Sequence, residues 1–218
     1  MHEIIQQLEK TVEKMFHFES SGHDINHLKR VLNLALTIQK KEGGDDLVIG
    51  VAAFLHDIHR VMQKEMGRFV SPKDSLPKIK ELLNTVELSE DQKEKILHCV
   101  EFHEEYNFSE QGKTVDDIET LIVQDADNLD AIGAIGVGRT FAYSGANQIP
   151  MWIPDIPFNR ESYKEGEDDP STVHHFYSKL FKLKDNMNTA TAKKMAESRH
   201  KYMETFLEEF FAEWEGKK

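Results

Sequence analysis

The segment LVIGVAAFLHDIH, residues 47–59, constrains the fold most because it is apolar on every side of a helix. A helix without a polar face belongs in the centre of a protein, and we predict that this one is the central core helix. It nevertheless ends in His56 and Asp57. Two adjacent ionisable groups can be buried at low cost only if each is paired, neutralised or bound to a cation.

Most other segments place apolar residues three and four positions apart, as amphipathic helices do. The pattern predicts helices over 3–18 and 24–41. It predicts a further helix that follows a turn bracketed by Pro72 and Pro77 and reaches Val86. Another helix is predicted after the capping box SEDQ at 89–92. One long helix over 115–142, capped by Thr114, and two helices after residue 170 follow. Because no segment shows a convincing strand pattern, we predict an all-α protein.

A length of 218 residues suits a single domain over 1–218. We expect a core over about 20–140, an irregular stretch over 143–170 that contains four prolines, and C-terminal helices over 171–215 packed on the core. Trp152 and Phe158 indicate that the irregular stretch is an ordered lid or rim, since long loops in compact domains are usually functional or disordered.

Charge and cysteine content exclude several classes of protein. A formal net charge of −12 opposes binding to a nucleic-acid polymer, although it permits a small anion in a locally positive pocket. Cys99 is the one cysteine, so there is no intramolecular disulfide, and a reducing cytoplasm is expected. No signal peptide or membrane span is apparent. We therefore expect a cytoplasmic protein that acts on a small molecule away from membranes, with a homodimer as its candidate oligomeric state.

Three clusters of metal-binding side chains interrupt otherwise apolar helices: His23 with His27, His56 with Asp57 and His59, and Asp127 with Asp130. Imidazole and carboxylate groups together bind Mn, Fe, Co, Ni or Zn, and the lack of nearby thiolates argues against a structural zinc site. A single histidine or aspartate in such a helix is more often a satisfied polar group than a ligand. Three clusters together favour a metal site.

The order of these clusters resembles the HD superfamily of metal-dependent phosphohydrolases. The matching stretches are DINHLKRV, LHDIHR and DADNLDAIGAIGVGR, and the C-terminal stretch VHHFYSKLFKLKDNMNTATAKKMAESRHKYMETFLEEF resembles a bacterial subgroup with nucleotide pyrophosphohydrolase-like members. The resemblance implies an HD-domain helical bundle with additional C-terminal helices. It implies a divalent metal ion, Mn first and otherwise Fe, Co, Ni, Mg or Zn, with four protein ligands: His27, His56, Asp57 and Asp127.

Two of these ligands are chosen by the family pattern alone. His27 rather than His23 matches the H-x-x-R-V position, and Asp127 rather than Asp125 has the A-D-x-L context. Helical periodicity leaves the second choice open, because Asp125 lies on the apolar stripe of its helix. Some HD hydrolases bind two ions through two further histidines between the HD pair and the last aspartate. Residues 60–97 contain no histidine, and His98 and His103 follow close together, so the chain departs from the conventional pattern for two ions.

Other polar residues near these motifs are candidates for catalysis and for phosphate binding. We expect catalytic roles for His23, Asp57 and Asp130, although His23 and Asp130 could equally orient the ligands. The candidate substrate-binding residues are Arg30, Arg60, His103, Lys179, Lys182 and Arg199. Each arginine and lysine of this set could equally form a salt bridge at the surface. His103 could equally be a core histidine that is hydrogen-bonded to a backbone carbonyl.

The resemblance implies hydrolysis of a phosphate ester or anhydride by water that the metal activates, with a nucleotide as substrate. Conversion of a nucleoside triphosphate to a monophosphate and pyrophosphate is the most specific form of this hypothesis. Trp152 and Phe158 could stack on a base, or could simply anchor the loop. Two alternatives stay open: an iron oxygenase on the same fold, and a nucleotide or metal sensor without turnover.

Overall fold

Helices form all the regular structure of the residues that the computed structural model describes, which are 1–17, 20–106, 108, 115–164 and 166–218. This confirms the prediction of an all-α fold. The helices are α1 (His2–Met15), α2 (Ile25–Glu42), α3 (Asp46–Leu55), α4 (Ile58–Met66), α5 (Pro72–Leu83), α6 (Glu90–Phe102), α7 (Ile118–Asp130), α8 (Gly133–Ala146), α9 (Thr172–His175), a π-helical segment (Phe176–Leu180), α10 (Phe181–Asn186) and α11 (Ala190–Trp214). In the described part of the chain, no helix is both long and apolar enough to cross a membrane.

Helix α3 lies at the centre of the molecule, as its apolar sequence predicts. Every residue from Val48 to Leu55 is buried. Helices α2, α6 and α7 pack around α3, and α2 also packs along α7. The ends of α2, α3 and α7 therefore meet in the interior, where a polar side chain has to find a partner or a ligand.

The apolar helix does not continue through His59, so the prediction of one helix over 47–59 is wrong. Helix α3 ends at Leu55 and α4 begins at Ile58, with His56 and Asp57 in the turn between them. Asp57 has φ −95° and ψ 15°, outside regular helix geometry. The turn lets both ionisable side chains face the same space at the end of α3.

A second predicted helix is also divided. The expected helix over 115–142 is two helices, α7 and α8, separated by Ala131 and Ile132. Gly133 begins α8 at φ 79°, and a Cβ there would lie 3.0 Å from the side chain of Arg199, so the turn needs glycine for space and for conformation. Asp117 caps α7, and the expected cap Thr114 lies outside the described residues.

Three smaller boundaries differ from the sequence-based expectation. Pro72 and Pro77 do not bracket a turn, since α5 begins at Pro72 after a Ser71–Asp74 capping box and includes Pro77, and Val86 lies beyond its end. The irregular stretch begins after Ala146 rather than at 143. A π-helical segment interrupts the helical stretch that follows residue 170. The SEDQ capping box is confirmed at the start of α6.

The irregular stretch is packed against the C-terminal helix by aromatic contacts. The ring of Trp152 lies 4.9 Å from that of Phe211 and 5.2 Å from that of Trp214, both on α11. Phe158 stacks on Tyr177 at 4.0 Å between ring centroids. The described residues of the stretch therefore pack on α11 and on Tyr177, and the contacts of Trp152 match the anchoring alternative rather than base stacking.

Asp125 has a structural role that periodicity could not separate from metal binding. Its fully buried carboxylate accepts hydrogen bonds from the backbone N–H groups of Asn188 (2.7 Å) and Thr189 (2.8 Å), where α11 begins. A carboxylate at this end satisfies otherwise unpaired donors and complements the helix dipole. Asp125 thereby joins α7 to the N-terminus of α11 and faces away from Asp127.

Replacing this carboxylate should destabilise the protein markedly. We expect Asp125→Ala to lower the free energy of unfolding by about 2–4 kcal/mol, because two buried N–H groups lose their acceptor. The matched control is Asp117→Ala, which removes the more exposed cap of α7 and should cost about 1 kcal/mol. Urea denaturation followed by circular dichroism measures both, and equal losses would contradict the buried-cap role.

Candidate metal centre

Four donor atoms from three parts of the chain converge where α2, α7 and the α3–α4 turn meet. His27 Nε2 lies 3.1 Å from His56 Nε2, 3.2 Å from Asp57 Oδ2 and 3.5 Å from Asp127 Oδ1. His56 Nε2 lies 3.7 Å from each of the same two carboxylate oxygens. These are the four side chains that the family pattern selects, and the fold brings them together.

The hydrogen bonds on the far side of each imidazole determine which nitrogen carries the proton. His27 Nδ1 donates to Asp130 Oδ2 at 2.8 Å, and His56 Nδ1 donates to the carbonyl oxygen of Ala53 at 2.8 Å. Because both Nδ1 atoms donate, the two neutral rings point Nε2 lone pairs at each other across 3.1 Å. Such an arrangement requires a cation between the rings, either a proton or a metal ion.

The charges around the centre lead to the same conclusion. Asp57 Oδ2 is buried and accepts no hydrogen bond among the described residues. Burial opposes a charged His56, but Asp57 and Asp127 outweigh it and raise the pKa of His56 to about 9. Without a metal ion, the cluster would hold a proton instead. Two imidazole nitrogens and two carboxylate oxygens are suitable donors for a divalent transition metal, so the residues fit the ion that the family implies.

Asp130 orients this centre from behind His27. Besides accepting from His27, its two oxygens accept hydrogen bonds from Arg30 Nε at 2.8 Å, Arg30 Nη2 at 3.0 Å and Arg139 Nη1 at 2.9 Å. Burial opposes its ionisation, but the hydrogen bonds from His27 and Arg30 and the charge of Arg139 hold its pKa well below the usual range. Asp130 is therefore a carboxylate with both oxygens engaged, which suits an orienting group better than a base.

His23 and Arg60 are neighbours of the centre. The ring centroid of His23 is 5.7 Å from that of His27. Burial and the Arg139 guanidinium lower the pKa of His23 well below its usual value, so the ring is neutral at neutral pH. Arg60 forms an ion pair with Glu104, and its Nε lies 3.6 Å from Asp57 Oδ1.

Three other candidate substrate-binding residues have different surroundings. Lys179 donates to the hydroxyl of Tyr106 at 2.9 Å and lies over the rings of Tyr106 and Tyr163 at 4.3 and 4.9 Å. Lys182 donates to the carbonyl oxygen of Arg160. Arg199 donates to the carbonyl oxygen of Leu129 and so closes the end of α7. Substrate binding by Lys182 or Arg199 stays a prediction that these contacts do not support.

His103 combines both roles that the sequence left open. Its Nδ1 donates to the carbonyl oxygen of Val100 at 2.7 Å, like a core histidine. Its Nε2 is buried without a hydrogen-bond partner in the described part of the chain, and its ring centroid lies 5.0 Å from that of His56. The edge of the ring therefore faces the metal centre.

The sequence puts His59 in a cluster of metal-binding side chains without making it a ligand, and it gives no role to Glu104 or Arg139. The structure places all three at or near the centre. Their signals were weak: His59 follows the HD pair by two residues, and Glu104 follows His103 directly. Arg139 reaches Asp130 only because the chain turns between α7 and α8. In a straight helix over 115–142, Asp130 and Arg139 would lie too far apart along the helix axis to form this contact.

Comparison with known proteins agrees with this geometry. The HD domain family model matches residues 24–132, the part of the chain that runs from the cap of α2 to the end of α7. The chain belongs to the HD-domain family. The matched region contains His27, the HD pair and Asp127.

Several relatives match almost the entire HD-domain chain. YpgQ of Bacillus subtilis is 33% identical over 205 residues, which are 93% of this chain and 89% of YpgQ. The crystal structure of YpgQ in complex with ADP superimposes with a TM-score of 0.67 at 30% identity, covering 94% of this chain and 95% of that one. An HD-superfamily hydrolase from Bacillus thuringiensis gives 0.72 at 37% identity, with 98% of each chain covered. A protein from Lactobacillus plantarum gives 0.80 at 32% identity, with 99% of each covered.

The position of Asp130 behind His27 predicts an effect on metal binding without loss of a ligand. Asp130→Asn keeps the size of the side chain but removes the charge that orients His27 and pairs with two guanidinium groups. We expect Mn²⁺ affinity to fall about 10–100-fold, as when other outer partners of metal ligands are changed. Calorimetric titration with Mn²⁺ measures this, with Asp91→Asn on the surface of α6 as the control. Equal affinities in the two variants would contradict the orienting role.

Proposed function

We propose that this protein is a phosphohydrolase that uses Mn²⁺ and acts on a nucleotide, releasing a monophosphate and pyrophosphate from a nucleoside triphosphate. The observation that carries the proposal is that His27 Nε2 and His56 Nε2 lie 3.1 Å apart, and that each lies 3.2–3.7 Å from one oxygen of Asp57 and one of Asp127, where buried helices end. Three of the four side chains are almost fully buried, and Asp127 is 15% exposed, which opens one side of the centre to a ligand.

Different side chains of the site have different roles in the proposed reaction. When bound, the ion would supply a Lewis acid that lowers the pKa of water and polarises a phosphoryl oxygen. His27, His56, Asp57 and Asp127 would hold it, and Asp130 and the Ala53 carbonyl fix the two imidazole rings. His23 is neutral and next to His27, so it is the group that we assign to accept a proton from the attacking water.

The cations at the rim favour an anionic substrate. The Arg60 guanidinium lies beside Asp57, and the Lys179 ammonium lies beside Tyr106. Tyr106 is itself a neighbour of Glu104 and Arg60, so Lys179 is one side chain away from the residues around the centre. An iron oxygenase with the same ligands would not need cations at its rim, which favours hydrolysis of a phosphate compound.

The choice of a nucleotide rests on similarity. The relative YpgQ has been crystallised with ADP, and its chain superimposes on 94% of this one. We propose that the phosphates of a nucleotide lie next to the four donors of this chain. A cytoplasmic location and a homodimer are further parts of the proposal.

Product analysis tests the proposed reaction. We expect chelator-treated protein reloaded with Mn²⁺ to convert at least one nucleoside triphosphate to monophosphate and pyrophosphate, as resolved by chromatography. Asp57→Asn should reduce turnover to the level of a blank without enzyme, because a buried ligand loses its charge. His98→Gln is the matched control, since its ring lies on the surface beside Asp117 and should leave the rate unchanged.

Other product patterns would contradict parts of the proposal. Release of inorganic phosphate alone would place the cleaved bond elsewhere. Nucleotide binding without any product would favour the sensor, and consumption of O₂ by the iron-loaded protein would favour the oxygenase. Turnover that persists in Asp57→Asn would show a contaminating enzyme or a different active site.

Lys179 offers a separate test of phosphate recognition. We expect Lys179→Met to raise the KM for the nucleotide about 10–100-fold, which corresponds to about 1.5–3 kcal/mol for a hydrogen bond to a charged group. Lys184→Met on α10 is the control, because that ammonium lies 3.8 Å from Asp185 and is paired at the surface. Steady-state kinetics at saturating Mn²⁺ measure both, and an unchanged KM in Lys179→Met would exclude a phosphate contact.

A further inference from the structure

The irregular stretch that precedes α9 reaches the surroundings of the metal centre through Tyr143 on α8. The ring centroid of Tyr143 lies 6.1 Å from that of His23, which is itself a neighbour of His27. The hydroxyl of Tyr143 donates to Asp168 Oδ1 at 3.0 Å. Asp168 is therefore one side chain away from the residues around the centre.

Asp169, the next residue, holds His175 at the end of α9. His175 Nδ1 lies 2.8 Å from Asp169 Oδ2, and the hydroxyl of Ser178 donates to the same oxygen at 2.7 Å. Burial opposes ionisation of Asp169, but these two hydrogen bonds hold its pKa below the usual value, so the carboxylate is charged and the ring is the donor. The neutral ring then has an unprotonated Nε2.

The Nε2 atom of His175 is available to a ligand. It forms no hydrogen bond with the residues that the structure describes, and the side chain is 31% exposed. Burial lowers the pKa of His175 and the Lys179 ammonium lowers it further, against the opposing effect of Asp169, so the ring is neutral at neutral pH. His175 therefore offers an acceptor on the side away from Asp169.

His175 and Lys179 lie on the same side of the π-helical segment. The ring centroid of Tyr163 is 6.4 Å from that of His175 and 4.9 Å from Lys179 Nζ. Segments of π-helix are rare and occur frequently at functional sites. Here the segment begins directly after His175 and includes Lys179, which the proposed function assigns to phosphate binding.

The contacts of Lys179 lead back to the metal centre. Lys179 donates to the hydroxyl of Tyr106, and Tyr106 is a neighbour of Arg60, whose Nε lies 3.6 Å from Asp57 Oδ1. The contacts therefore form a closed ring that begins and ends at the centre. Its aromatic and cationic members are half-buried, so the ring borders an opening toward solvent rather than a packed core.

Asp168 provides a second acceptor beside His175. Its Oδ1 accepts from Tyr143, and its Oδ2 accepts no hydrogen bond from the described residues. The side chain is exposed, and its charge is close enough to His175 to affect the pKa of that ring. We refer to Asp168 and His175 as the acceptor pair.

An acceptor pair next to a cation matches the order of groups along a nucleotide. A phosphate is negatively charged and rich in acceptors, so Lys179 attracts it and Asp168 repels it. The group that follows the phosphate is the sugar, which in a ribonucleotide carries two hydroxyl donors on adjacent carbons. Carboxylates accept hydrogen bonds from ribose hydroxyls in other nucleotide-binding folds.

We propose that Asp168 and His175 Nε2 accept hydrogen bonds from the ribose hydroxyls of the nucleotide and thereby select ribonucleotides over deoxyribonucleotides. This inference rests on the proposed function, because Lys179 and the metal centre hold the phosphates. It names the part of the substrate that the irregular stretch and α9 recognise.

Nucleotides that differ only in their hydroxyls test the acceptor pair. We expect the Mn²⁺-loaded full chain to have a KM for ATP about 3–30-fold below its KM for 2′-deoxy-ATP and for 3′-deoxy-ATP, the range for one hydrogen bond. Calorimetric titration with AMP and its two deoxy forms should give the same order of affinities and does not depend on turnover.

Two variants assign the hydroxyls to the two acceptors. His175→Asn can keep a donor to Asp169 while it removes the Nε2 acceptor, and Asp168→Asn can keep the acceptor for Tyr143 while it removes the other carboxylate oxygen. Each should weaken AMP binding about 3–30-fold and leave unchanged the affinity for the deoxy form that lacks the hydroxyl concerned.

The matched controls are surface substitutions of the same residue types. Asp91→Asn on α6 and His98→Gln should leave all three affinities unchanged. Circular dichroism on heating shows whether each variant is folded. The comparison of the three nucleotides in the wild type stands even if a variant unfolds.

Two results would overturn the ribose site while leaving the proposed hydrolysis intact. The first is equal KM values and affinities for the ribose and both deoxy forms in the wild type. The second is equal weakening of all three forms in the folded variants, which would show a structural role. A preference for AMP without turnover of ATP would keep the ribose site and overturn the hydrolysis. Absence of both binding and turnover would overturn both.

Discussion

The buried Nε2 atoms of His27 and His56 face each other across 3.1 Å. Both are acceptors, so the groups around the two rings have to provide for a cation between them. Each ring is fixed by a hydrogen bond on its far side, His27 by Asp130 and His56 by Ala53. The rings cannot turn to relieve the contact without losing those bonds in a buried place, which costs more than an exposed bond would. A cation between them satisfies both rings and the adjacent carboxylates.

This constraint explains why charged groups surround a core that is otherwise apolar. Arg30 and Arg139 neutralise Asp130, which keeps the group behind His27 ionised. Arg60 does the same for Glu104 on the opposite side. The cations thus lie in the shell around the donor atoms, while the carboxylate and imidazole donors line the interior. Such an arrangement keeps the ligands preorganised and still leaves the centre itself in need of positive charge.

The apolar packing brings these groups together. Helix α3 is buried on all sides, and α2 and α7 pack against it and against each other, so the ends of three elements meet at one place. The turn after Leu55 is as important as the helices, because it turns His56 and Asp57 toward α2 and α7. Asp125 also joins α7 to the start of α11 through two hydrogen bonds.

The sequence alone determined the helical class and the central position of α3, because apolar periodicity is a local property of the chain. The choice of the four donors rests on the resemblance of short motifs to the HD superfamily. The sequence did not determine that the helices break at His56–Asp57 and at Ala131–Ile132, since apolar residues continue on the far side of each break. It also could not separate Asp125 from Asp127 by periodicity, or show that His59, His103 and Glu104 share one space with Asp57. Those relations join residues far apart in the chain. The packing of α4, α6, α7 and α11 around α3 decides them, because spacing along one helix specifies a face but not the helix that the face meets.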